Sequence, residues 1–248
     1  MAESHRKGQG MGNRLRPVLR RIVPASMRRQ LFNFREARQA PDDWRRLVRA
    51  FPELEDYATL AERARTSLES NYHRYLTEVS IPSMAISIEL ATFLLVACRL
   101  FRPRKILDLG SGFSSAVFLH YAATSTTEVD LWSIDDSEEW LARTDLFARK
   151  VGLVPMRLLP WQDFLRRREE RFDLVLHDLG SMKTRLATLP DVLGRVNSGG
   201  LVVLDDMHKQ PYNSAARRAV KRHCMTLISL RAVTLDQISR YSMLAIPT

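Results

Sequence analysis

KILDLGSGFSSAVFL, residues 105–119, is the stretch on which the reading of this chain turns. An apolar run (Ile106, Leu107, Leu109) enters Gly110-Ser111-Gly112 and leaves into a helix-forming segment, the pattern of a strand, a tight turn and a helix. Two glycines let the backbone turn sharply and let a ligand approach the start of the helix. A serine stands wherever a third glycine might be expected, including position 115, where one would complete a dinucleotide-binding loop. Asp108, two residues before Gly110, changes the expected ligand. A carboxylate in such a turn repels a pyrophosphate and welcomes an ammonium group. A ligand with an amino-acid end and a nucleoside end meets that demand.

Outward from this loop, short apolar runs alternate with amphipathic stretches. KILDL (105–109), VDLWSI (129–134), VPMRLL (154–159), FDLVLH (172–177) and GLVVLD (200–205) read as strands. Helices are predicted at 114–122, 137–151, 163–170 and 184–196, between successive strands. The last part of the chain breaks the alternation. A helix over 213–224 precedes LISLRAVTLD (227–236) and YSMLAIP (241–247), two strands whose short link makes them antiparallel neighbours. The expected fold is therefore α/β: a Rossmann-like doubly wound sheet of seven strands, mostly parallel, closed by a C-terminal antiparallel hairpin and preceded by helices.

The 248 residues and 45% hydrophobic content suffice for one sizeable core. The apolar run 86–101, interrupted by Glu89 and Arg99, is too short and charged to span a bilayer and reads as a buried helix over 84–100. No signal-peptide pattern precedes it. Cys98 and Cys224 have neither disulfide-framework nor zinc spacing, so a reducing, cytoplasmic setting is expected. The net charge of +10 is concentrated at one end: residues 1–50 hold 13 Arg/Lys against 4 Asp/Glu, +9, which leaves +1 for residues 51–248. Three regions follow: a basic arm (1–41), a helical lid and substrate region (42–100) and the core (101–248). In the arm, Leu15, Val18, Leu19, Ile22 and Val23 keep helical spacing among arginines, and a second helix restarts at Pro24 and ends near Ala40. Such an element suits an anionic membrane surface (through 14–38), a polyanion, or packing on its own domain, and a transit peptide has the same composition.

Asp108-Leu-Gly110-Ser-Gly112-Phe-Ser114 resembles motif I of the class I S-adenosylmethionine-dependent methyltransferases, acidic-x-Gly-x-Gly-x-Gly, whose last position tolerates Ser. The resemblance covers about residues 82–248 and includes the reversed hairpin. It implies S-adenosylmethionine (SAM) as cofactor, with Asp108, Gly110, Gly112 and Ser114 at its methionine end. Asp135, after the second strand, falls where the family binds the ribose hydroxyls. A carboxylate is a double acceptor for two vicinal O–H donors, and Asp136 is left as the helix cap. Trp161 and Asp163, after the third strand, fall where the family recognises adenine; the bland alternatives are a core tryptophan and a helix-capping aspartate. Segment 80–89 precedes the core where related enzymes place a lid over SAM.

The fourth strand ends at His177-Asp178 and lacks the Asn/Asp-Pro-Pro-aromatic motif of nucleobase amino-methyltransferases. The fifth ends at Asp205-Asp206-Met-His208. Asp178, Asp205 and Asp206 resemble the metal ligands of magnesium-dependent O-methyltransferases of the catechol and macrolide-sugar types, and Mg²⁺ favours such oxygen ligands. Those enzymes carry a lysine base three residues after the first metal ligand, where this chain has Ser181. His208 is the candidate replacement base, and Asp178 acting as a metal-free base is the competing reading. The implied activity is O-methylation of a small-molecule or glycan hydroxyl, with an RNA methyltransferase and a non-catalytic SAM-binding regulator as alternatives.

Overall fold

The computed structural model describes residues 24–153 and 156–248; the apolar spacing read over 15–23 and the first two residues of the expected strand 154–159 lie outside them. Chain order is α1 (Ala25–Ala50), a 3₁₀ turn (Pro52–Leu54), α2 (Tyr57–Glu78), α3 (Ile88–Phe101), β1 (Lys105–Leu109), α4 (Phe113–Thr124), β2 (Asp130–Asp135), α5 (Glu138–Lys150) and β3 (Arg157–Pro160). Then come α6 (Trp161–Phe164), β4 (Phe172–His177), α7 (Met182–Leu193), β5 (Val196–Leu204), α8 (Gln210–Arg222), β6 (Met225–Ser229), α9 (Arg231–Thr234) and β7 (Met243–Pro247).

The strands form one seven-stranded sheet in the order β3-β2-β1-β4-β5-β7-β6. Strands β1 to β5 pair in parallel, while β7 runs antiparallel to both β5 and β6. Side chains alternate between faces with a period of two, so each strand supplies both cores. Ile106, Leu131, Leu174, Leu201 and Leu244 face the layer built by α2, α3 and α4, which buries Leu68, Phe93 and Phe118. Leu107, Trp132, Val175, Val202 and Met243 face the other layer, with Phe164, Phe172, Val192 and Tyr212. Helix α3 is buried around nearly its whole circumference, as its apolar composition requires. Its N-terminus is capped by Ser87, whose Oγ accepts from the Leu90 N–H at 3.1 Å.

The helix expected over 163–170 is only the turn Trp161–Phe164, β5 starts at Val196 and not at Gly200, and two further segments differ from expectation. Residues 227–236 do not form one strand: β6 ends at Ser229, and α9 follows. The run Leu-Ile-Ser-Leu-Arg-Ala-Val-Thr-Leu fits both periods, and the helical turn is fixed by Thr234, whose N–H and hydroxyl both donate to the Leu230 carbonyl. The helix expected to stop near Ala40 continues through Pro41 to Ala50. Anchors on both sides of the proline outweigh the backbone hydrogen bond it removes. Before it, buried Glu36 takes two 3.0 Å hydrogen bonds from Arg217 Nη2. After it, Asp43 accepts the Ser229 N–H at 3.2 Å. One rigid helix thus carries the end of the basic arm and the start of the next region.

Candidate functional site

A cleft of about 440 Å³ opens at the carboxyl ends of β1, β2, β4 and β5, where open α/β sheets bind ligands. Its floor is the loop after β1. Gly110 has φ +107°, and a Cβ added there would lie 2.7 Å from the Asp178 carbonyl oxygen and 2.8 Å from its carbon. Glycine is required at this point because two strand ends, β1 and β4, touch through it. Backbone hydrogen bonds tie this point to both neighbours of β1: the Gly110 N–H donates to Ile134 O of β2 at 2.8 Å, and the Asp178 N–H, after β4, to Leu109 O at 2.7 Å.

The serines of this stretch form a network beneath the loop. Ser114 and Ser115 donate to one oxygen of Asp108 at 3.1 and 2.6 Å. Ser115 also meets Ser133 at 2.9 Å, Ser133 meets Ser111 at 2.6 Å, and the Gly112 N–H donates to Ser115 Oγ at 3.2 Å. Asp108 is fully buried and is not part of the cleft wall. Its Oδ2 holds the loop together, while Oδ1 is buried without a hydrogen-bond partner and is the oxygen left for the expected ammonium group of a ligand. Burial pushes its pKa from 3.8 up to about 7, against the two serine hydrogen bonds. A carboxyl that keeps its proton to about pH 7 when folded, but only to about pH 4 when unfolded, favours folding below pH 4 and loses that contribution as the pH rises to 7. Thermal melts of the Asp108→Asn variant should therefore show a flatter pH dependence over this window, by on the order of a few kcal/mol. Parallel curves for variant and wild type would contradict the assignment.

At the end of β2, Asp135 lines the cleft and takes the Ser137 N–H at 2.8 Å. Burial, with Asp136 alongside, raises its pKa to about 6. The helix cap is Ser137, which accepts from the Trp140 N–H, and not Asp136, which also lines the cleft. Trp161 and Asp163 stand away from it. Trp161 is buried against Phe164, in an aromatic group with Phe172 and Trp132, and Asp163 is ion-paired with Arg166 at 3.1 Å. Neither lines the cleft.

Asp178, Asp205 and Asp206 do share the cleft, and a cation already stands among them. The buried Arg185 guanidinium, from α7, pairs with Asp178 and donates to Asp206 Oδ2 at 2.7 Å. Asp206 Oδ2 also receives Lys209 Nζ at 2.5 Å, and Asp205 Oδ1 receives Ser242 Oγ at 2.7 Å. Burial raises the pKa of Asp178 well above the carboxylate range, aided by Asp205 and Asp206 and opposed by Arg185. Burial also raises Asp205, but on Asp206 the effect of burial is outweighed by Arg185 and Lys209, so its pKa is lowered. These residues do not fit a resident magnesium ion, because the Arg185 guanidinium stands between Asp178 and Asp206, Lys209 adds a second cation on Asp206 Oδ2, and Ser242 holds Asp205 Oδ1. Among the described residues no group of three or more His, Cys, Asp or Glu is arranged to hold a metal. His208 is outside the cleft wall, with Nδ1 3.5 Å from Asp206 Oδ1, and burial lowers its pKa. His177 is fully buried between Tyr212 (2.5 Å) and Thr188 (2.9 Å).

Three contributors come from distant parts of the chain and have no motif. Tyr75 of α2 packs on Phe113 and Phe147 and lines the cleft beside Gly112, where an added Cβ would be 3.2 Å from its hydroxyl. Met84, Ala85 and Ile86 form the rim. Arg240 clamps that rim: it donates to the carbonyls of Pro82 at 2.9 Å, Ser83 at 3.3 Å and Ala85 at 3.0 Å, and Asp236 holds its Nε at 2.6 Å. The segment expected to act as a lid is thus tied to the turn before β7.

No family model matches the chain, and neither does any curated protein. Solved structures resemble it across most of its length. The O-methyltransferase of Bacillus cereus, solved with S-adenosylhomocysteine, is 15% identical and superposes with a TM-score of 0.55 over 85% of this chain and 99% of its own. TomG of Streptomyces achromogenes, an O-methyltransferase of tomaymycin synthesis solved with SAM, is 18% identical, with a TM-score of 0.53 over 75% of this chain and 89% of its own. The methyltransferase PaMTH1 of Podospora anserina, solved with S-adenosylhomocysteine, is 14% identical, with a TM-score of 0.54 over 73% and 88%. At such identities the likeness is one of fold, and it agrees with the reversed seventh strand and with a cleft at the parallel strand ends. The chain has the class I SAM-dependent methyltransferase fold.

Proposed function

We propose that this chain transfers a methyl group from SAM to a hydroxyl oxygen of a small molecule or glycan. The observation that carries this reading is one cleft joining a side-chain-free loop at Gly110 to Asp178, a half-buried carboxylate whose pKa is raised. The cleft also fits the cofactor's polar ends. The start of α4 offers backbone N–H groups to a carboxylate, and Asp135 offers acceptor oxygens to ribose hydroxyls. When bound, SAM supplies an electrophilic methyl group on a sulfonium. Asp178 takes the proton of the acceptor hydroxyl, and its raised pKa makes it a stronger base than an exposed carboxylate. Tyr75 and the Arg240-clamped rim confine the reactants and exclude water. The test is transfer of labelled methyl from SAM into hydroxyl-bearing acceptors from an extract. Label appearing on oxygen supports the reading; label on RNA bases, or none with SAM bound, favours the RNA-directed or the regulatory alternative.

The acceptor, in this reading, is met at an anionic membrane surface. Met27, Leu31 and Phe34 lie on one face of α1, spaced four and three residues apart, and are 52%, 57% and 62% exposed. Arg35 and Arg38 are exposed on the same side, with Arg38 over the Phe34 ring at 5.7 Å. Pairing two copies through this face would bring like charges together, whereas anionic headgroups complement them. Among the described residues no helix is long and apolar enough to cross a membrane, so contact would be peripheral. The full chain should float with phosphatidylserine-containing vesicles and not with neutral ones. Replacing Met27, Leu31 and Phe34 by Ser should weaken this tenfold or more, at about 1.5–3 kcal/mol for each fully buried side chain. Flotation indifferent to both lipid charge and the triple substitution would contradict it.

A further inference from the structure

We infer that Arg185 is a built-in cation standing in for a divalent metal: it holds the acidic cluster at the ends of β4 and β5 and positions Asp178 without a metal ion. The pairing with Asp178 and the 2.7 Å bond to Asp206 place one guanidinium between the two strand ends. A planar guanidinium meets two carboxylates at once, and it stays charged when buried. Arg185 is only 8% exposed, so its charge is answered by these acids and not by water.

Charge and geometry both oppose a second cation. Fully ionised, the three acids carry −3, and Arg185 with Lys209, which is bonded to Asp206, returns +2. The remaining −1 shrinks further to the extent that Asp205, buried and raised in pKa, keeps its proton. Magnesium surrenders its hydration water reluctantly and needs anionic oxygens free to replace it. Here Asp178 faces Arg185, Asp206 Oδ2 is shared by two cationic donors, and Asp205 Oδ1 is taken by Ser242. The consequence for turnover rests on the methyltransferase reading; the consequence for cation binding does not.

Removing the guanidinium should let the acids close on a divalent cation in its place, because neighbouring buried carboxylates without a counter-ion must take up protons or a cation. Mn²⁺, followed by its electron paramagnetic resonance signal, is the probe. The wild-type chain should leave it free up to about 1 mM, the weak end of biological divalent sites. Arg185→Ala should bind it at least tenfold more tightly and gain thermal stability from it, and Asp206→Asn in that background should reverse both. Arg185→Gln, which keeps side-chain length and loses the charge, carries the same titration if the alanine variant fails to fold. Tight Mn²⁺ binding by the wild type, or none by any folded Arg185 variant, overturns the inference. A separate SAM titration shows whether the methyltransferase reading has failed instead, since the Mn²⁺ titration involves no methyl transfer.

Discussion

Asp178→Asn is expected to lower kcat by about 10²–10⁴-fold, the usual contribution of a positioned general base, while SAM affinity stays within about threefold. The substitution keeps shape and removes both the ability to take a proton and the charge that pairs with Arg185. In the wild type the rate should climb with pH as the Asp178 carboxyl ionises, at a pH above the ordinary carboxylate range because burial and the neighbouring acids hold the proton on. The variant should lose that limb. Its backbone contacts to Leu109 and Gly110 remain, but the buried Arg185 guanidinium loses one of its two anionic partners, so the melting temperature should fall. Full activity in Asp178→Asn, or an unchanged pH profile, would remove Asp178 from the chemistry and return attention to His208. That histidine would need to move to meet a substrate, because it stands outside the cleft.

Gly110→Val should abolish measurable SAM binding and lower the melting temperature. A φ of +107° is open to glycine and strained for any β-branched residue. That strain alone costs roughly 1–3 kcal/mol. The added carbon also overlaps the Asp178 backbone at 2.7 Å, so β1 and β4 must separate just where the cleft begins. Gly199→Ala is the matched control: φ is +82°, nothing lies within 4 Å of an added Cβ, and the residue is outside the cleft wall. It should lose stability through backbone strain and leave SAM affinity intact. Equal SAM binding by Gly110→Val and wild type would mean that the ligand does not use this loop.

The succession of strands along the chain and the position of the loop were legible because apolar runs of five or six residues end in polar groups and alternate with helical patterns. Reversal of the last strand was legible from the shortness of its link, although the length of β6 was not, since 227–236 fits two periods. Strand ends also exposed Asp135, Asp178, Asp205 and Asp206. What they could not expose was which acids were already spoken for. One oxygen of Asp108 is taken by serines six and seven residues later, and the threads joining Ser115, Ser133 and Ser111 cross two strands. Arg185 looked like one more helix arginine; its partner Asp206 lies 21 positions away and meets it only when β4 and β5 pair. Trp161 and Asp163 sat at the right strand end, but their strand, β3, is the sheet's edge, and Trp161 turns into the aromatic core. Tyr75 and Arg240 reach the cleft from a helix and a turn that carry no motif.

Calorimetric titration of SAM into the full chain tests the central claim most directly. The account predicts one site per chain, unaffected by EDTA, lost in Gly110→Val and weakened at least tenfold in Asp135→Ala, which removes a charged acceptor worth about 1.5–3 kcal/mol. A folded wild-type chain that gives no heat with SAM, or that binds it equally well in both variants, would contradict the account.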